Sequence, residues 1–253
     1  MKKYNKTKIL GFIVIFLVII LLSTLIGYKV ILINNYKESV ESLKFIDVLN
    51  KAEFKKINTI KIDTNEYFEY KNIKFQNHLQ NFLQKEENDV VYYELINDEQ
   101  KTTAYFSLGI EEDYINKIND DTDFDLYTNI LGKTKVSKIN ANEYFTRIKI
   151  NNTLDLFDYL IENKDNNLNI FNSIKSIKEE TWINEFVNTV YSGDTITFLE
   201  NDLEGYILEY KNNENFKSIV IFDENKMYGL NFWGLDYFNE TTINDILNTL
   251  IIK

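Results

Sequence analysis

The chain has 253 residues, 44% hydrophobic and 15% aromatic, enough for one large domain or two small ones and too apolar for a disordered chain. It has no cysteine, which excludes disulfides, thiolate metal sites, a thiol nucleophile and an acylated cysteine, and no proline, which excludes cis-proline turns. With one histidine and a formal net charge of −11, histidine-rich metal sites are disfavoured and polyanions such as nucleic acid are poor partners.

The first element in chain order is an apolar run. Residues 9–27 carry no charge over 19 positions, and at about 1.5 Å per residue they span about 28 Å, close to the hydrocarbon thickness of a bilayer. Lys2, Lys3, Lys6 and Lys8 precede the run and Glu38 is the first acid. That asymmetry predicts a cytoplasmic N-terminus and an extracytoplasmic C-terminal mass. A cleaved signal peptide would have a shorter apolar region and a small-x-small site, which Leu22–Tyr28 does not supply. The expected partner of residues 9–27 is therefore the lipid bilayer. From residue 30 onward, 23 basic residues face 39 acidic ones, a formal charge of −16. This permits a cationic protein partner and disfavours nucleic acid.

Residues 1–8 are read as a basic cytoplasmic tail, 9–27 as the anchor and 28–56 as a juxtamembrane region. Within the last, Val40, Leu43, Ile46 and Leu49 predict a helix over 37–51.

Two α+β units are expected next, over 57–133 and 134–253. Lys61–Phe68 matches Lys138–Phe145 at six of eight positions, and Leu79, Phe82 and Leu83 align with Leu156, Tyr159 and Leu160 at the same offset. The first unit is read as strands at 57–63 and 67–71, a helix at 75–84, strands at 90–96 and 102–108, and a helix at 111–118. The second is read as strands at 135–139 and 144–150, a helix at 154–162 capped by Asn152 or Thr153, a strand at 170–177 and a helix at 179–191. Three strands follow at 206–211, 218–222 and 227–232, then a helix bearing Ile243, Ile246, Leu247 and Leu250 behind Thr241 or Thr242. Short turns between successive strands imply antiparallel pairing. The expected fold is α+β: antiparallel sheets with helices on one face.

Few residues point to chemistry. His78 sits among Phe75, Leu79, Phe82 and Leu83 and reads as a core or boundary residue. The acidic run over 119–125 places Asp121, Asp123 and Asp125 at alternate positions, which suits oxygen ligation of calcium. The loop pattern nevertheless lacks its central glycine and terminal glutamate, so a solvated linker is the simpler reading. Gly132-Lys133-Thr134 lacks the upstream glycine of a phosphate loop. No cofactor and no catalytic residue is assigned. Strand alternation puts Met227, Gly229, Asn231 and Trp233 on one face and Tyr228, Leu230 and Phe232 on the other. Trp233, Tyr237 and Phe238, with Asp121, Asp123 and Asp125, are the candidate partner-binding residues. The resulting expectation is a non-enzymatic, membrane-anchored, extracytoplasmic protein-binding module of shielding or immunity type. Its alternatives are a bitopic subunit of a secretion, conjugation or wall-regulating complex, and an envelope hydrolase.

Overall fold

The structure is a computed structural model that describes residues 6–60, 67–87, 90–118, 123–163, 168–191, 193–210, 213, 215–224 and 226–253. Helix α1 (Lys6–Ser42) runs unbroken through the apolar segment and the first part of the juxtamembrane region. From Leu10 to Gly27 every side chain is exposed, whereas Leu32, Ile33, Tyr36 and Ser39 are buried. One helix thus has a bare half and a half packed on protein. The juxtamembrane helix predicted over 37–51 is two pieces, because the chain breaks at Leu43 before α2 (Lys44–Leu49).

The remaining elements are β1 (Glu53–Ile57), β2 (Tyr67–Tyr70), β3 (Ile73–Gln76), β4 (Leu83–Glu87), β5 (Val90–Ile96), β6 (Thr102–Glu112), α3 (Tyr114–Ile118), β7 (Asp123–Ile130) and β8 (Lys133–Asn140). They continue with α4 (Ala141–Ile148), α5 (Thr153–Asn163), α6 (Ile174–Val190), β9 (Thr195–Asn201), β10 (Glu204–Glu209), β11 (Phe216–Asp223), β12 (Lys226–Trp233), α7 (Glu240–Thr249) and β13 (Ile251–Ile252). Eight strands form one sheet in the order β1-β9-β10-β11-β12-β6-β5-β4. All its pairings are antiparallel except β1 with β9, which is parallel. A small sheet, β13-β3-β2, and a separate β7–β8 hairpin complete the β structure. The hairpin closes through Leu131 and Gly132, both at positive φ (53° and 74°), the two-residue turn that follows strand twist.

Two apolar layers enclose the large sheet. On one face α2 to α6 pack on Ile196, Phe198, Tyr206, Leu208 and Val220. On the other, α7 and the small sheet cover Leu199, Ile207, Ile219, Ile221, Tyr228, Leu230, Phe232, Phe106, Leu108, Val91 and Tyr93. Helices therefore lie on both faces, not one, because both faces of β9, β10 and β11 are apolar. Gly205 is required within this core: a Cβ there would sit 2.1 Å from the Val220 carbonyl oxygen.

Several predicted elements are corrected. Residues 75–84 form no helix: Phe75 and Gln76 end β3, Asn77 accepts a hydrogen bond from the Leu79 amide (2.8 Å), and β4 begins at Leu83. The strand expected over 144–150 is helix α4, capped by Asn140 on the Glu143 amide (2.7 Å) and stopped by Lys149 at φ 62°. Ser173 starts α6 inside the strand expected over 170–177. Strand β6 runs to Glu112, so the helix expected from Glu111 starts at Tyr114. Asn239, not Thr241 or Thr242, caps α7, its side chain accepting from the Thr242 amide. Part of the strand expected over 57–63 lies outside the described residues, and the strand actually formed is the earlier β1.

The matched segments do not share a conformation: Tyr67-Phe68 is strand and Tyr144-Phe145 is helix, while Leu79 is in a turn and Leu156 in α5. Strands from both sides of the expected unit boundary also lie in the same sheet.

Candidate functional site

The three aromatic candidates at the end of β12 go three ways. Gly234, at φ 85°, turns the chain off the strand, and its carbonyl accepts the Tyr237 and Phe238 amides. The loop folds back so that Phe238 is fully buried between Phe82, Phe106 and Phe232, with centroids at 5.6, 6.4 and 5.2 Å. Tyr237 stays at the surface, its hydroxyl donating to the His78 carbonyl at 3.0 Å. Trp233, alternating with buried Phe232, lies half-buried on the opposite face of the sheet. They form no common exposed patch, because a turn at Gly234 buries Phe238. His78 itself is half-buried, its Nε2 without a hydrogen-bond partner among the described residues.

Asp121 lies outside the described residues. Asp123 and Asp125 belong to β7, where they share the outer face and alternate with inward Phe124 and Leu126. Asp125 is bound to Lys138 of β8 at 2.6 Å. Among the described residues no three His, Cys, Asp or Glu side chains gather into a set that could hold a metal ion.

A different surface emerges beside Trp233. On the face packed by α2 to α6, the described helices cover the sheet only as far as Val220, Phe222 and Met227. Beyond that limit β12, β6, β5 and β4 present three cross-strand rows with no covering element among the described residues, continued on β11 by Phe216, Ser218 and the core residue Val220. The register sets them as Phe216, Trp233, Tyr105, Glu94 and Leu83, then Ser218, Asn231, Ser107, Tyr92 and Lys85, then Val220, Gly229, Gly109, Val90 and Glu87. The middle row is cross-linked: Ser218 Oγ donates to Asn231 Oδ1 at 2.7 Å, and Asn231 Nδ2 donates to Ser107 Oγ at 3.3 Å. The rings of Tyr92 and Tyr105 lie 5.8 Å apart, and partial burial raises the Tyr105 hydroxyl above its ordinary pKa. Lys85 and Glu94 pair at 2.8 Å. Gly229 has open space above it. Together these rows set the half-exposed rings of Trp233, Tyr105 and Tyr92 around a fixed polar ladder anchored on buried Ser107. Aromatic groups with one apolar and one polar aspect are the side chains interfaces favour.

The alternation within β12 was legible from sequence, and it held Asn231 and Trp233 on one face. Which strands flank β12, and where the helices stop, depends on long-range pairing that no local pattern encodes.

The second distinctive region joins α1 to the domain. Helix α6 runs parallel to α1: Lys29 Nζ donates to the Ile170 carbonyl (2.8 Å), Asn184 Nδ2 to Ser39 Oγ (3.3 Å), and Asn188 Nδ2 to the Ser42 carbonyl (3.1 Å). Leu32, Ile33, Tyr36, Leu168 and Ile177 form a separate small core between them. Beside it is a polar cluster. Tyr159 donates to Glu180 (2.7 Å) and its hydroxyl lies 3.4 Å from that of Tyr144. Burial raises the Glu180 carboxyl above the usual carboxylate range. Burial, aided by Glu180, pushes Tyr36 up to about 12. Next to this cluster Arg147, the only arginine, pairs with Glu179 at 2.6 Å and ties α4 to α6.

Comparison with protein-family models, with curated proteins and with solved structures finds no match to this chain. The class is set by the fold: a mixed α+β protein with antiparallel sheets behind one helix long and apolar enough to cross a membrane.

Proposed function

We propose that the chain is a membrane-anchored, non-enzymatic module that holds a protein-binding domain outside the cytoplasm. Residues 9–27 cross the bilayer and the N-terminus lies in the cytoplasm. Support for the anchor is the apolar half of α1, which none of the described residues of the domain covers; the lysines before it orient it. The observation that carries the binding role is the face of β12, β6 and β5 that no described helix covers, on a sheet whose central strands are packed on both sides. Its partner is another protein. The domain's formal charge of −16 favours a cationic one, such as an exported toxin held at the surface.

The stiff joint between α1 and α6 favours a second reading, a bitopic subunit of an envelope secretion, conjugation or wall-regulating assembly. A flexible tether would suffice for capture alone, whereas a packed joint fixes the domain relative to the membrane.

A photo-crosslinking amino acid at Tyr92, in full-length protein in intact cells, tests the face. A discrete adduct is expected at position 92, lost on Asn231→Arg and absent with the same probe at Val136 of the outer hairpin. No adduct at positions 92, 105 and 233 would refute the binding face. An exported soluble protein in the adduct supports capture, and a membrane-complex component supports the second reading.

A further inference from the structure

We propose that the loop from Asn169 to Asn172 is a second membrane contact, with Phe171 seated in the interfacial layer of the leaflet from which α1 emerges. This inference rests on the anchor reading above. Its basis is axial register. The Asn184–Ser39 and Asn188–Ser42 contacts fix α6 alongside α1 at offsets of 145 and 146, and the Lys29–Ile170 bond continues the alignment to the other end. At the same register Phe171 stands level with Ile26 to Val30, where the uncharged run gives way to packed helix. The domain begins to cover α1 at Tyr28, so this loop is its membrane-side end near α1.

The loop's surface fits that position. Phe171 is 90% exposed, more than any other large apolar side chain among the described residues, and Ile170 is 40% exposed. The exposure is built in, not the result of slack chain. Asn169 Oδ1 accepts the Phe171 amide (2.9 Å), Asn172 Oδ1 accepts the Asn169 amide (2.7 Å), and the Asn169 carbonyl accepts the Asn172 amide (3.0 Å). Ser173 then caps α6 directly behind. In a chain with 39 acidic residues, Leu168 to Ile174 carries no charge, and Lys29 of α1 donates to the Ile170 carbonyl beside Phe171. A rigid loop with an outward aromatic ring, uncharged and flanked by a lysine, matches what bilayer interfaces accept. With α1 it gives the domain two points of contact with the bilayer, which limits rotation and tilt about the anchor.

The absence of cysteine allows a clean test. Full-length protein bearing Phe171→Cys, Leu22→Cys or Thr189→Cys is labelled with an environment-sensitive NBD dye. Each variant is reconstituted into phosphatidylcholine–phosphatidylglycerol vesicles with and without nitroxide-labelled lipid. Thr189 is exposed near the far end of α6, 15 residues beyond Ile174 and so about 22 Å further along that helix. The label at 171 is expected to emit to the blue of the label at 189 and to be quenched at least about threefold more strongly, as an interfacial group is. Strong quenching at 22 with position 171 indistinguishable from 189 would overturn the loop contact and leave the anchor intact. No quenching at 22 would overturn both.

Discussion

Replacing Arg147 with alanine tests how the helical layer is held together. Its Nη2 lies 2.6 Å from Glu179 Oε2, and the Glu179 side chain is only 4% exposed, so the substitution leaves a carboxylate in a low-dielectric site. Lys175 is the remaining cation nearby, but it stands 3.9 Å from Glu179 and is already bound to Glu143 at 2.5 Å. Stranding one partner of a fully buried pair costs about 3–5 kcal/mol. Because the Arg147 side chain is itself 47% exposed, water moderates that cost, and a loss of about 2–3 kcal/mol is expected. For a domain of this size that corresponds to a Tm lower by about 5–10 °C. Thermal unfolding of the full chain in mild detergent, followed by circular dichroism, reads it directly. Glu179→Gln should cost less, since it leaves the cation on the wetter side of the pair. The double variant should be more stable than the sum of the two losses implies. A change within about 0.5 kcal/mol for Arg147→Ala would refute the claim that this pair braces α4 against α6.

Three further outcomes follow from the same geometry. The Glu180 carboxyl faces Tyr36 of α1, Tyr144 of α4 and Tyr159 of α5, with Glu179 and Arg147 also acting on it. Burial raises its folded pKa, so its contribution to stability is greatest below the ordinary carboxylate value of about 4.3 and declines as pH rises towards the folded pKa. Glu180→Gln should therefore gain on the native protein as pH is raised from 4 to 8 in urea titrations, and a pH-independent difference would contradict this. Phe238→Ala should cost about 3–5 kcal/mol, whereas Tyr237→Ala, at the surface, should cost less than about 1 kcal/mol in the same assay. Gly205→Ala forces a Cβ to 2.1 Å from the Val220 carbonyl oxygen and 2.9 Å from Ile221 Cα, and should abolish folded protein by proteolysis assay.

The sequence was most informative where local rules operate alone. Strands β5 and β12 alternate in burial, and polar turns join β5 to β6 and β11 to β12, so local pattern alone makes them legible. The errors have identifiable causes. Phe75, Leu79, Phe82 and Leu83 have helical spacing by coincidence, while the turn signal at Asn77 was overlooked. Around Tyr144 the apolar alternation outweighed the cap formed by Asn140 and Glu143. Strand β7 is disguised in the sequence by Asp123 and Asp125, which suggest a linker, although Phe124, Leu126, Thr128 and Ile130 repeat at the strand period. Of the five described candidate contact residues, only Trp233 lies on the face that no described helix covers, since the flanking strands reach it through distant pairings. The parallel pairing of β1 with β9, across 144 residues, leaves no local signature.

The anchor and its orientation are tested most directly by labelling single cysteines in intact cells with a membrane-impermeant maleimide. Tyr127→Cys, on the exposed face of the β7–β8 hairpin, should react without lysis, and Lys3→Cys should react only after permeabilisation. Reaction of position 127 only after lysis, or recovery of full-length chain from the soluble fraction, would contradict an extracytoplasmic domain held by α1.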